Sequence, residues 1–206
     1  MPFQHGKIRD MNTSTIAESL ELPAPILMDL GTGSTGEDTR IERATKTIGQ
    51  MAHVFLDERA RGLIGAETAV YSVEYWRPVA EGTEGGLYWG NSTIYPGVVG
   101  EEYFMTRGHF HARRNRAEYY STILGSGLLV LMDERRHASV QEMRAGTTHY
   151  IPNGIAHRVV NTGDKPLTFL ACWPSDAGHD YTTIDEQGFS VRVMRKGKYP
   201  QVVAQP

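Results

Sequence analysis

The sequence is poor in the features that define several other classes of protein. Cysteine occurs once, as Cys172, so no disulfide forms within the chain, and we expect a reducing compartment. The longest apolar runs, such as LLVLM at 128–132, are far too short to span a bilayer. The N-terminal stretch has no apolar core typical of a secretory signal. We therefore expect a cytoplasmic protein with no membrane partner.

An excess of positive charge is also missing from the composition. The formal net charge is −3 and the sequence pI is about 6.2, which argues against a nucleic-acid partner. With 206 residues, the chain is long enough to bury a sizeable core. Length alone allows either one large β domain or two small ones.

Turn residues and short apolar runs alternate from about residue 65 onward. Runs such as AVYSVEYW at 69–76 and LTFLACW at 167–173 are rich in β-branched and aromatic residues. Short strands with frequent turn signals are typical of an antiparallel sandwich or barrel. The stretch NTGDKP at 161–166 predicts a hairpin turn. We predict one mainly β domain over residues 65–206.

Residues 1–64 have a different character and predict an N-terminal helical arm. One long helix is predicted over about 37–61, where apolar residues recur at helical spacing. These residues are Ile41, Ala44, Ile48, Met51, Ala52 and Phe55. Residues 1–35 are expected to be an arm and a loop, with at most one short helix near TIAESLEL at 15–22.

The stretch TRGHFHARRNRAEYY at 106–120 permits three interpretations. It is a basic nucleic-acid patch, a solvated loop, or part of a metal site. The acidic residues nearby argue against nucleic acid; they are Glu101, Glu102, Asp133 and Glu134. His109 and His111 are two residues apart, so on a strand both side chains point to the same face. By itself this histidine pair is weak evidence for a metal.

A second motif strengthens the metal interpretation. The stretch GTTHYIPNGIAHRVVN at 146–161 has the form Gly-x5-Pro-x-Gly-x2-His-x3-Asn, with its histidine at His157. The first motif continues from His111 through six residues to Glu118. Together the two motifs resemble those of the cupin superfamily, which implies a single small barrel of the double-stranded β-helix, or jelly-roll, type. The departures are the spacing of six, where three or four is usual, and Tyr103 in place of a glycine.

Longer stretches narrow the resemblance within the cupins. YPGVVGEEYFMTRGHFH at 95–111, EYYSTILGSG at 118–127 and HDY at 179–181 resemble the cupin-type glucose-6-phosphate isomerases. The resemblance extends from about residue 40 to about residue 190. Ile123 and the long N-terminal arm depart from the family pattern. The implied activity is metal-dependent interconversion of glucose 6-phosphate and fructose 6-phosphate, in glycolysis and gluconeogenesis.

The resemblance also implies a cofactor, a substrate site and an assembly. One divalent metal ion per chain is expected on His109, His111, Glu118 and His157. Iron(II) is favoured, and manganese, nickel, cobalt and zinc suit the same donors. The expected residues for the sugar phosphate are Thr106, Gly108 through its amide, Ser92 and Tyr181, with Tyr71 or Tyr75 as a further pocket residue. A homodimer is expected.

The reaction leaves alternatives open at this point. Glu118, His179 and Tyr120 are the candidate catalytic residues for proton transfer through an enediol, and a metal-assisted hydride shift is the alternative. Other candidate functions are a different metal-dependent cupin enzyme, such as a dioxygenase or sugar epimerase, and a non-catalytic sugar-binding cupin. We expect His137 and His149 to be structural. The arginines at 107, 113, 114 and 116 bind phosphate or are solvated, so they stay outside the predicted site.

Overall fold

The structure is a computed structural model that describes residues 22–205. Strands predominate among these residues. In chain order the elements are β1 (Ile41–Thr47), a 3-10 turn (Ile48–Met51), α1 (Glu58–Gly62), β2 (Ala69–Trp76), β3 (Leu87–Ile94), β4 (Val98–Val99), β5 (Glu102–Tyr103), β6 (Glu118–Leu124), β7 (Ser126–Met132), β8 (Ala138–Arg144), β9 (Thr148–Ile151), β10 (Ala156–Asn161), β11 (Leu167–Pro174), α2 (Thr182–Gln187), β12 (Val191–Lys196) and β13 (Tyr199–Ala204). The prediction of a mainly β fold is confirmed.

The strands form three antiparallel sheets. The largest has six strands in the order β1-β2-β3-β11-β6-β9, a second has three in the order β10-β7-β8, and a third has four in the order β13-β12-β5-β4. Apolar side chains of these sheets meet in one core, in which Ile94, Leu129 and Phe169 are fully buried. Burial of such side chains contributes about 1.5–3 kcal/mol each, so this core is the main source of stability.

The predicted helix over 37–61 is wrong. Residues 41–47 form strand β1, which pairs with β2 from Ile41 opposite Trp76 to Thr47 opposite Ala69. Only Glu58–Gly62 is α-helical in this part of the chain. Helix propensities differ by only tenths of a kcal/mol per residue, so pairing with a neighbouring strand easily overrides them. The division of the chain after residue 64 stays a prediction, and β1 belongs to the largest sheet.

The predicted hairpin at 161–166 is also wrong. The turn follows β10, but β11 pairs with β3 and β6 instead of with β10. The buried side chain of Asn161 explains the change of direction: its amide donates to the carbonyls of Ile94 and Lys165 at 2.8 and 2.9 Å. The chain therefore crosses from one sheet to another. The short helix predicted at 15–22 lies almost wholly outside the described residues, and Leu22 is in coil.

Strand β10 positions the site because it is buried along its whole length. The segment 104–110 runs antiparallel beside it, with bridges between Met105 and Val160 and between His109 and His157. A third bridge from the same segment joins Phe110 to Asp180. The segment is thus held on both sides. Within residues 22–205, the structure has no helix long and apolar enough to cross a membrane.

Candidate metal centre

The two sequence motifs meet in space at the β10 edge. The amide of His109 donates to the carbonyl of His157 at 3.3 Å, and the amide of His157 donates to the carbonyl of His109 at 3.1 Å. Glu118 is the first residue of β6, where it pairs with Ile151. One ligand atom from each of His109, His111, Glu118 and His157 lies within 4.8 Å of every other. The structure therefore brings together the four predicted ligands.

The rings of His111 and His157 both direct Nε2 at the carboxylate of Glu118. His111 Nδ1 lies 3.0 Å from the carbonyl oxygen of Arg116, and His157 Nδ1 lies 3.3 Å from that of Ile155. A ring whose Nδ1–H donates to a carbonyl presents a lone pair at Nε2. The Nε2 atoms of His111 and His157 lie 3.3 and 2.6 Å from Glu118 Oε1. The site is therefore preorganised for a ligand shared by these atoms.

Two buried atoms of the cluster lack an ordinary partner. Glu118 Oε1 and His157 Nε2 form no hydrogen bond with the described residues, although they lie only 2.6 Å apart. The contact has the distance of an ion pair without the alignment of a hydrogen bond. Three imidazoles and a carboxylate are donors that suit a divalent first-row metal. A cation held between these atoms would satisfy both, so the residues fit the implied metal ion.

The electrostatics of the cluster keep the carboxylate charged. Burial raises the pKa of Glu118, but the positive charge that His157 and His111 carry when protonated, in close contact with the carboxylate, outweighs it and brings that pKa down to about 2. Burial also lowers the pKa of His109 well below its usual value, with a further contribution from His157. Burial lowers the pKa of His111, but the contact with Glu118 outweighs it and raises that pKa, so a metal ion bound here would displace a proton from this ring.

A cavity of about 490 Å³ opens beside the cluster, within the size range of small-molecule sites. It is lined by all the predicted substrate and catalytic residues: Ser92, Thr106, Gly108, Glu118, Tyr120, His179 and Tyr181. Tyr71 and Tyr75, between which the sequence did not decide, both line it. The structure therefore brings these candidates together around one space.

The loop Thr106–Gly108 has a conformation that requires glycine. Gly108 has φ +75°, and a Cβ atom there would lie 2.6 Å from Phe189 Cε2 and 3.0 Å from Arg158 Cβ. Arg158 is buried, and its Nε and Nη2 both donate to the carbonyl of Arg107, at 3.1 and 2.5 Å. The hydroxyl oxygen of Thr106 accepts from the Val159 amide at 3.1 Å, which leaves the hydroxyl proton free to donate.

His179 and Tyr120 flank the cluster without belonging to it. The His179 ring lies 4.3 Å from the His109 ring and is stacked on Tyr181, with centroids 5.8 Å apart. Partial burial lowers the pKa of His179, although the residue is exposed to solvent. Burial raises the pKa of Tyr120 well above its usual value, and the charge of Glu118 adds to the effect. His179 is therefore neutral, and Tyr120 protonated, near neutral pH.

Two cationic side chains that line the cavity, Lys46 and Arg107, were not among the predicted site residues. Lys46 lies on β1 opposite Tyr71, which in turn contacts the backbone of Arg107. Lys46 was assigned to the predicted helix, and the β-branched Thr45 and Thr47 beside it were the available sign of a strand. Arg107 also lines the cavity, with its guanidinium 4.7 Å above the Tyr181 ring.

The other arginines of the stretch 106–120 do not line the cavity. Arg113 and Arg116 pair with Asp176, and Arg114 pairs with Asp180 and Glu134. His137 is exposed and pairs with Asp133. His149 is buried and contacts Gln141 and Thr147 through its two ring nitrogens. The structure gives both of these histidines local partners away from the cluster.

An antiparallel β fold and a buried cluster of three histidines and a glutamate beside a cavity define a cupin-type protein with a candidate metal centre. Residues 45–204 match the protein family described as "Glucose-6-phosphate isomerase (GPI)". The chain belongs to this family, as the motifs predicted, and is an enzyme of the isomerase class.

Individual glucose-6-phosphate isomerases align with this chain over most of their length. The "Glucose-6-phosphate isomerase" of Thermococcus onnurineus (strain NA1) is 38% identical over 91% of this chain and 98% of its own. That of Pyrococcus horikoshii is 42% identical over 86% of this chain and 95% of its own. Among solved structures, "Structure of Oxalate Decarboxylase from Bacillus subtilis at pH 4.6" matches 53% of this chain and about a quarter (26%) of its own, with 24% identity and a TM-score of 0.41.

The packing behind the loop predicts the effect of a methyl group at Gly108. Gly108→Ala should lower the free energy of unfolding by about 1–2 kcal/mol for the positive φ, plus about 1–3 kcal/mol for overlap with Phe189. Chemical denaturation measures this change. Gly146→Ala is the matched control, because Gly146 has φ +90° and its Cβ would meet nothing within 4 Å. Equal losses in the two variants would show that Phe189 does not restrict the loop.

Proposed function

We propose that the protein interconverts glucose 6-phosphate and fructose 6-phosphate, with one divalent metal ion held by His109, His111, Glu118 and His157. The observation that carries this proposal is the opening of the four-ligand cluster onto a cavity that also contains the Thr106–Gly108 loop. One space thus offers donors for a metal and donors for a phosphate. Membership of the glucose-6-phosphate isomerase family supports the choice of substrate.

The phosphate end of the cavity is proposed at the Thr106–Gly108 loop. The free hydroxyl proton of Thr106 and the amide of Gly108 are suitable donors, and Ser92 lines the same cavity. Lys46 forms no ion pair with the described residues, which leaves its charge available to an anion. Arg107 is partly engaged by Asp185 at 2.5 Å. A sugar phosphate anchored here places its sugar carbons toward the ligand cluster.

The proposed chemistry moves one hydrogen between C2 and C1 of the sugar. When bound, the metal ion supplies Lewis-acid stabilisation of charge that develops on the sugar oxygens. Among the chain's own groups, Glu118 is a candidate base, but its place among the metal ligands would lower its basicity. An imidazole nitrogen of His179 is better suited to accept the proton and return it through an enediol. Tyr120 holds its proton and is suited to donate a hydrogen bond to a sugar oxygen.

The proposal has three further parts: the metal ion is iron(II), the protein is a homodimer, and it is located in the cytoplasm. The donor set suits iron(II) together with manganese, nickel, cobalt and zinc. An exposed aromatic pair, Tyr119 and Tyr150 with ring centroids 5.3 Å apart, lies on the largest sheet and supports an interface between subunits. A charged sugar phosphate does not cross membranes freely, which supports a cytoplasmic location for an enzyme that consumes it.

A coupled assay with and without a chelator tests the activity and its metal dependence. Chelation should abolish the conversion of fructose 6-phosphate to glucose 6-phosphate, and a divalent metal should restore it. His157→Ala should lose most of the bound metal, since it removes a ligand that is buried in the cluster. His137→Ala, at an exposed histidine, is the control and should retain metal and rate. Metal content and rate unchanged in His157→Ala would exclude this centre.

Substitution of Thr106 tests the phosphate site separately from the metal. Thr106→Val removes a hydrogen bond to a charged group, worth about 1.5–3 kcal/mol, so KM should rise about tenfold or more. Thr106→Ser keeps the hydroxyl that also accepts from Val159 and should stay close to the wild type. Metal content should be unchanged in both. A valine variant with the wild-type KM would remove Thr106 from the substrate site.

Turnover in deuterated water tests how the hydrogen moves. Proton transfer by His179, which is exposed to solvent, predicts deuterium at C1 of the fructose 6-phosphate product and at C2 of recovered glucose 6-phosphate. His179→Gln should keep its metal and lose about 10²–10⁴-fold in kcat. Complete retention of the original hydrogen, together with a near-normal kcat in His179→Gln, would favour a direct hydride shift.

A further inference from the structure

The arginine-rich stretch after His111 is the sequence feature that the proposed function leaves unused. We define the arginine segment as residues 112–117, the six residues that separate His111 from Glu118. Its backbone continues the antiparallel pairing of Phe110 with Asp180. The amide of Arg113 donates to the carbonyl of Ala177 at 2.9 Å, and the amide of Ala112 donates to that of Gly178 at 3.4 Å. The arginine segment therefore lies against residues 176–180.

A single buried carboxylate joins the two stretches. The side chain of Asp176 is 4% exposed. Its Oδ1 accepts from Arg116 Nε at 2.8 Å, and its Oδ2 accepts from Arg116 Nη2 and from Arg113 Nη1, each at 2.6 Å. The Arg116 contact is bidentate, the geometry in which guanidinium and carboxylate constrain each other most strongly. Asp176 thus balances the charge of the Arg116 guanidinium and also holds Arg116 in position.

Arg116 in turn contacts a metal ligand through its backbone. Its carbonyl oxygen lies 3.0 Å from Nδ1 of His111, and its amide donates to the carbonyl of Arg113 at 3.2 Å. The carbonyl therefore sets both the tautomer of His111 and the direction in which Nε2 points. A shift of Arg116 would turn the His111 ring away from Glu118, to which its Nε2 is 3.3 Å.

We propose that Asp176 is a positioning residue for the metal centre, which holds Arg116 so that its carbonyl orients His111. The inference rests on the proposed function for the presence of the metal, and it assigns a role to a residue that does not touch the cavity contents. The partners of ligating histidines commonly change metal affinity 10- to 100-fold when they are removed. Asp176→Asn removes the negative charge that two guanidinium groups share. It also replaces one acceptor oxygen by an amide NH₂, which cannot accept a hydrogen bond from a guanidinium.

Titration of the metal-free full-length protein with Co²⁺, followed by its visible absorption and by competition with a chelator, tests the role without an activity assay. Because Asp176 acts on His111 only through Arg116, Asp176→Asn should raise the Kd for Co²⁺ by the lower end of that range, about tenfold. Glu134→Gln is the matched control, because it removes an exposed carboxylate that pairs with Arg114 of the same segment. Its Kd and absorption spectrum should equal those of the wild type.

A second variant separates positioning from stability. Arg116→Lys keeps the positive charge and the backbone carbonyl but loses the bidentate contact, so its Kd should also rise. Circular dichroism of each metal-free variant establishes whether it is folded. If Asp176→Asn does not fold, the Kd of Arg116→Lys decides the test. A folded variant with the wild-type Kd and spectrum would overturn the positioning role while leaving the isomerase proposal intact. Failure of the wild type to bind Co²⁺ would overturn both.

Discussion

The ionised carboxylate of Glu118, 5% exposed, is the constraint on which the site depends. A buried charge is costly unless opposite charge or hydrogen bonds surround it. His157 and His111 supply that compensation, and both bring their Nε2 atoms to the same oxygen. Because these groups come from three separate parts of the sequence, the charge is satisfied only when β6, β10 and the segment before the arginines are assembled. Folding of the sheets and formation of the centre are therefore coupled.

The opposite end of the cavity is organised around a second buried charge. Arg158 forms no ion pair with the carboxylates in the described part of the chain, and burial lowers its pKa to about 10. It remains protonated at neutral pH and donates to the carbonyl of Arg107 behind the Thr106–Gly108 loop. The same strand, β10, thus presents His157 to the ligand cluster and, one residue later on its other face, Arg158 to the loop. Because successive side chains of a strand point to opposite faces, β10 fixes the position of the ligand cluster relative to the Thr106–Gly108 loop.

The site was more predictable from the sequence than the N-terminal part of the fold. The four candidate ligands, His109, His111, Glu118 and His157, were assigned by resemblance to two cupin motifs, which are read along the chain before any strand is placed. The conformation of residues 41–47 depends instead on pairing with β2, which the β-branched Thr45 and Thr47 indicate only weakly against the helical spacing of the apolar residues, and Lys46 was missed as a consequence. The ion pairs of Arg113, Arg114 and Arg116 depend likewise on residues at least twenty positions away, such as Glu134 and Asp176.

The unusual spacing of six residues between His111 and Glu118 has a structural consequence. The extra length allows the chain to pair with residues 177–180 before it turns back into β6. The hydrogen bonds from Ala112 and Arg113 extend the Phe110–Asp180 bridge, which lies before His111 and sets His179 beside His109 at a ring distance of 4.3 Å. A shorter connection would not leave enough chain for these hydrogen bonds. The residues between His111 and Glu118 therefore extend the pairing that holds His179, which is not one of the four ligands, beside the same cavity as the cluster.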